Sequence, residues 1–115
     1  MKRNYEDYLE DILDSIYAIE IFVNGMTKNE FIRDLKTIYA TRKAIEIIGE
    51  AAKKIPKSIR DKYQDIPWRE IAGMRDVLVH DYFNVDLNVL WKTVQEDIPK
   101  LKSMFVKIIE DLNRG

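Results

Sequence analysis

The chain has 115 residues, 46% of them apolar and 34% charged, which suits one folded soluble domain over residues 1–115 and excludes a disordered segment. No apolar run approaches the ~20 residues a helix needs to cross a bilayer, and the N-terminus runs into carboxylates instead of the apolar stretch of a secretory signal. The sequence has no Cys and a net charge of −1, which excludes disulfides, thiolate nucleophiles and Cys-based zinc, fits a cytoplasmic protein, and predicts no polyanion partner from bulk charge alone.

Apolar residues recur at helical spacing from the start: Tyr5, Tyr8, Leu9, Ile12, Leu13, Ile16, Tyr17, Phe22 and Val23. Steps of three and four fall on one stripe of a helix, so residues 4–23 are predicted to form an amphipathic helix. Asn24-Gly25 is a stop, because both residues tolerate the left-handed conformation that ends helices. Thr27 and Glu30 then fit a capping box, in which each side chain satisfies a free backbone N–H of a new helix. Phe31, Ile32, Leu35, Ile38, Tyr39, Ile45, Ile48, Ala51, Ala52 and Ile55 carry the period on to Pro56. This predicts one helix of about 26 residues, packed antiparallel to the first.

Residues 56–66 read as a connector with room for one helical turn. Pro67 can open a third helix, where its missing N–H costs nothing. Trp68, Ile71, Ala72, Met74 or Arg75, Leu78 and Val79 carry that helix to about His80, and Asp81-Tyr82-Phe83-Asn84 breaks the pattern. Asp86 is a predicted N-cap. Leu87, Leu90, Trp91, Val94, Leu101, Met104, Phe105, Ile108 and Leu112 form the last helical run, which Pro99 should kink or divide. No period-2 strand or internal repeat is present. The expected architecture is all-α, an up-down bundle of four to five helices, with Trp68, Trp91 and Phe83 assigned to the core in preference to an interface.

Charge is unevenly spread. Residues 1–20 hold six acids (Glu6, Asp7, Glu10, Asp11, Asp14, Glu20) against Lys2 and Arg3. Adjacent acids near a helix start complement its dipole. Residues 41–62 hold seven bases (Arg42, Lys43, Lys53, Lys54, Lys57, Arg60, Lys62) against Glu46, Glu50 and Asp61. Such a patch either guides a phosphate backbone or is an ordinary solvated face.

Most catalytic equipment is missing. The chain has no glycine-rich phosphate loop, no nucleophile elbow, no His-Glu-x-x-His and no dinucleotide fingerprint, so no cofactor is expected. A single His makes a His-rich metal site within one chain unexpected. The unusual stretch is Arg75-Asp76-Val77-Leu78-Val79-His80-Asp81-Tyr82, with the one His five residues after an Arg. On a continuous helix the two lie about 140° apart. They can line one cleft, over Val77 to Val79, only if His80 sits where the helix ends.

Physically the pair suits phosphodiester cleavage without a metal. A His titrates near neutral pH and can exchange protons with a ribose 2′-hydroxyl or a leaving oxygen. An Arg keeps its charge and binds phosphate oxygens bidentately. In-line transfer works best with both an acid and a base, and a symmetric dimer would supply two copies of each residue. The bland alternative is a His capping a helix C-terminus and an Arg in an ordinary salt bridge.

Arg-x4-His followed by x-Tyr resembles the signature of the HEPN superfamily, specifically its HepT-like branch of small helical toxins. The segment from Pro67 to Phe83 is similar to the family's central stretch, and so are Ala44-Ile45-Glu46-Ile47-Ile48-Gly49-Glu50-Ala51-Ala52 and Val94-Gln95-Glu96-Asp97-Ile98-Pro99. The resemblance spans essentially the whole chain. It implies a HEPN-like bundle and a metal-independent endoribonuclease working as a homodimer, or a higher assembly, with the motifs facing across the interface. It implies RNA as substrate and, as antitoxin, a small nucleotidyltransferase of the MNT type that silences the toxin by transferring AMP to the motif tyrosine. Carried over, Arg75 stabilises phosphate, His80 transfers protons, Asp76 orients its neighbours and Tyr82 accepts AMP. AMP on a phenol beside the cleft would block it by bulk and by competing for Arg75.

Two other readings of the same residues remain. One is a non-catalytic nucleotide- or substrate-holding subunit for a partner nucleotidyltransferase, favoured by the lone His and the near-neutral charge. The other is a plain helical interaction protein in which Arg75 to His80 is only a helix end.

Overall fold

In a computed structural model the chain is described over residues 3–80 and 86–115, with the backbone alone over 75–80. Helix α1 (Tyr5–Val23) begins at Asn4, whose side chain accepts from the Asp7 N–H while the Asp7 carboxylate accepts from the Asn4 N–H, both at 3.2 Å. Glu6 and Asp7 occupy its first turn, where carboxylates oppose the positive end of the helix dipole. Leu9, Ile12, Ile16 and Ile19 are fully buried along one stripe. The helix ends at Asn24, and Gly25 follows at φ +76°, the left-handed conformation the sequence anticipates.

The predicted capping box opens α2 (Lys28–Arg33): the Thr27 hydroxyl accepts from the Glu30 N–H at 3.2 Å, and the Glu30 carboxylate accepts from the Thr27 N–H at 3.0 Å. Hydrogen bonding to the Thr27 N–H first, and then to the Thr27 hydroxyl, holds the Glu30 carboxyl below its ordinary range. The single long helix expected from here to Pro56 is instead two. Asp34 takes an extended backbone (φ −102°, ψ 92°), ends α2 and caps α3 (Leu35–Lys53) by accepting from the Thr37 N–H at 3.1 Å. An Asp side chain offers a helix's N–H groups an alternative partner, and here that competition breaks the helix. The break lets Phe31 pack on the ring of Trp91 at 5.1 Å, while Ile38, Ala44, Ile45, Ile48, Ala51 and Ala52 line the core side of α3.

The connector contains α4 (Lys57–Lys62), and α5 (Trp68–His80) follows Pro67. Asp86 caps α6 (Leu87–Lys92) as predicted, accepting from the Asn88 and Val89 N–H groups at 2.9 and 3.3 Å. Pro99 divides the last run, as expected, by way of a π turn over Thr93–Asp97 that leads into α7 (Ile98–Arg114). The Ile98 N–H reaches the Thr93 carbonyl, five residues back. A proline ring crowds the carbonyl four residues before it, and the wider turn makes room.

The most extensive packing sets α3 between α1 and α5, with α7 against α1. Leu90, Val94, Ile98, Leu101, Phe105 and Ile108 close the core, and Trp68 and Trp91 are half-buried against it; Phe83 lies outside the described residues. The fold is all-α, with no strand among the described residues. Among the described residues four helices of 13 or more residues form the body, and three of six residues link them. Among the described residues no helix is long and apolar enough to cross a membrane.

Candidate active site

The first half of α5 is bolted to the core. The Trp68 indole Nε1–H donates to the Tyr63 carbonyl at 3.0 Å, and its ring meets Phe105 of α7 edge-on at 5.6 Å. Ile66 and Ile71 are buried and Met74 packs against the core. These contacts fix the rotation of α5 about its axis, and with it the position of every later residue on the same helix.

Arg75 is the eighth residue of α5 and His80 the thirteenth, so the helix runs through His80 as the sequence predicts. An ideal helix places their Cα atoms about 7.5 Å apart along the axis and about 140° apart around it. Arg75 continues the row of Trp68 and Ile71, the row that faces the core. His80 instead continues the row of Arg69, Gly73 and Asp76, lying three turns and about 20° from Arg69. The backbone therefore puts the two motif residues in different rows of one helix. The packing expected for Val77 to Val79, the orientation of Asp76, the break at 81–84 and the AMP acceptor Tyr82 lie outside the described residues.

Beside the row that ends at His80 is a cleft of about 860 Å3 between the end of α3, α4 and the first turns of α5. Lys53, Arg60 and Arg69 line it with Ala72 and Gly73, together with the acids Asp61 and Glu70. Asp61 is paired with Lys57 at 2.8 Å. The basic 41–62 segment thus supplies two of the cleft's cations. The contribution of Arg69 went unrecognised in the sequence, although its eleven-residue spacing from His80 is a same-face spacing. Among the described residues no three His, Asp or Glu side chains are grouped to hold a metal ion.

The all-helical domain, with Arg-x4-His carried on a core-anchored helix, is of the HEPN type. More narrowly, residues 12–108 match the family described as Ribonuclease HepT-like, and the chain belongs to that family. It is 53% identical over 108 residues to "Probable ribonuclease HepT" of Thermococcus cleftensis, covering 94% of this chain and 98% of that protein. It is 47% identical over 111 residues to "Putative RNase MJ1216" of Methanocaldococcus jannaschii, covering 96% and 92%. No solved structure gives a significant match.

Proposed function

We propose that this protein is an endoribonuclease toxin that cleaves RNA without a metal ion, at a site assembled from two copies of the chain. The observation that carries the reading is the placement of Arg75 and His80 on one helix, α5, whose first half is locked to the core. Membership of a ribonuclease family and the names of its relatives support RNA as the substrate.

In this mechanism the ribose 2′-oxygen attacks the adjacent phosphorus as the P–O5′ bond breaks. One His80 takes the 2′-hydroxyl proton and the other donates a proton to the departing 5′-oxygen. Arg75 neutralises the charge that gathers on the non-bridging oxygens. Two protonation states of one residue type are needed at once, so one chain with one His is half of the machinery. Asp76, next to Arg75, orients the motif. Silencing fits the same scheme: an MNT-type nucleotidyltransferase antitoxin transfers AMP to Tyr82, two residues past His80, placing an anionic nucleotide where substrate phosphate would bind.

The test is RNA cleavage in excess EDTA by protein made without a partner and shown by intact mass to be unmodified, beside folded His80→Ala and Arg75→Ala variants. Cleavage by the parent alone is expected. Equal cleavage by parent and variants would sink the assignment. Intact RNA in every arm would favour the alternative, a substrate-holding subunit for the nucleotidyltransferase.

A further inference from the structure

We infer that the cleft between α3, α4 and α5 is a second, non-catalytic RNA site, in which Arg60 and Arg69 hold backbone phosphates of the strand whose scissile bond lies at His80. The inference rests on RNA being the ligand, as proposed above, and adds where the rest of the strand runs.

Three observations converge on it. The first is the cleft itself, about 860 Å3 and open along one side of α5. The second is its charge. Arg60 and Arg69 are exposed, and no ion pair engages either among the described residues. Asp61 is already held by Lys57, leaving Glu70 as the one acid of the lining without an ion pair among the described residues, against Arg60 and Arg69. A guanidinium with no carboxylate partner is a ready phosphate ligand. The third is register. Arg69 and His80 lie in one row of α5 about 16 Å apart along the axis, a distance that spans roughly five stacked nucleotides at ~3.4 Å each. Gly73 and Asp76 lie between them in that row; Gly73 carries no side chain, and a Cβ built there meets nothing within 4 Å, so the path is open beside Arg69.

The alternative occupant of the cleft is a second copy of this chain. A two-fold contact sets the same patch against itself, which would bring the arginines of both copies together around the axis. A polyanionic strand has the complementary charge.

The experiment measures binding separately from cleavage. Anisotropy of a labelled single-stranded RNA is titrated with the His80→Ala chain and with the same chain also carrying Arg60→Ala and Arg69→Ala. A third protein combines His80→Ala with Lys100→Ala and Lys107→Ala on exposed positions of α7, away from the cleft. Each phosphate contact to a single strand contributes a slope of about 0.7 in log K against log salt. Losing two should lower the slope by about 1.4 and weaken binding about 25-fold at 0.1 M salt relative to a 1 M reference. The Lys100/Lys107 protein should bind as the His80→Ala chain does.

Equal weakening in both combinations would reduce the effect to bulk charge and overturn the inference. Unchanged affinity without Arg60 and Arg69 would also overturn it. So would dissociation of the assembly, read by sedimentation, which would give the cleft to a second copy. If the cleft variants weaken binding while the parent protein never cleaves RNA, the RNA site stands and the catalytic proposal falls. If the parent cleaves while affinity ignores Arg60 and Arg69, the reverse holds.

Discussion

Thr41 is fully buried in α3 between Ile38 and Ile45, and its Oγ1 has no hydrogen-bond partner. A hydroxyl taken out of water without compensation costs about 1–3 kcal/mol. Valine has nearly the same shape and helix propensity and presents a methyl where the hydroxyl stood. Thr41→Val should therefore stabilise the fold by about 1–2 kcal/mol, allowing for relaxation around the new methyl. For a domain of this size that raises the melting temperature by roughly 4–8 °C. Urea denaturation followed by circular dichroism gives the free energy, and an unchanged m-value assigns the gain to stability. Thr37→Val is the control, because Thr37 is only half-buried and its hydroxyl can reach water; little change is expected there. A Thr41→Val protein no more stable than the parent would refute the reasoning, since the hydroxyl would then have a partner that offsets its burial.

The capping box makes a pH-dependent prediction. The Glu30 carboxyl is depressed first by the Thr27 backbone N–H and then by the Thr27 hydroxyl, so its stabilising effect is complete above the ordinary carboxylate range and is lost as pH falls through the lowered value. Thr27→Val keeps the N–H and removes the hydroxyl, so the Glu30 titration followed by NMR should move up only part of the way; an unmoved titration would show that the hydroxyl plays no part. The dimer proposal predicts a dosage effect. When parent and His80→Ala chains are mixed equally and allowed to exchange, a site that needs both His80 residues keeps about one quarter of the activity, by random pairing of subunits. Retention of one half would mean that each chain works alone.

The parts of the fold that local chemistry dictates were legible in the sequence. The α1 stripe, the Asn24-Gly25 stop, the Thr27–Glu30 box, the Asp86 cap and the division at Pro99 each rest on a few neighbouring residues whose hydrogen-bonding options are narrow. The break at Asp34 was not legible, because the apolar period from Phe31 through Leu35 to Ile38 passes through it unchanged. What breaks the helix is a tertiary demand, the seating of Phe31 against Trp91, more than fifty residues further on, combined with the local offer of an Asp side chain. The candidate site divides in the same way. Arg75 and His80 stand out because they are chemically distinctive and closely spaced. Arg60 and Arg69 are ordinary surface residues until α4 folds back beside α5.

The spacing of the motif carries an argument of its own. Residues three or four apart on a helix are neighbours, and a pair meant to act together from one helix would use that spacing. Arg75 and His80 are five apart and fall in different rows: the arginine in the row that Trp68 and Ile71 commit to the core, the histidine in the outer row that begins at Arg69. A helix locked through Trp68 cannot rotate to bring both rows to one face. In the proposed mechanism, whatever completes the site must therefore span both rows of α5 beside His80. A second copy arriving there would bring its own His80 with it and so supply the one proton-transfer role that a single chain lacks. The RNA strand would then enter along the outer row, over Gly73 and past Arg69. The row that packing leaves unused would become the substrate path.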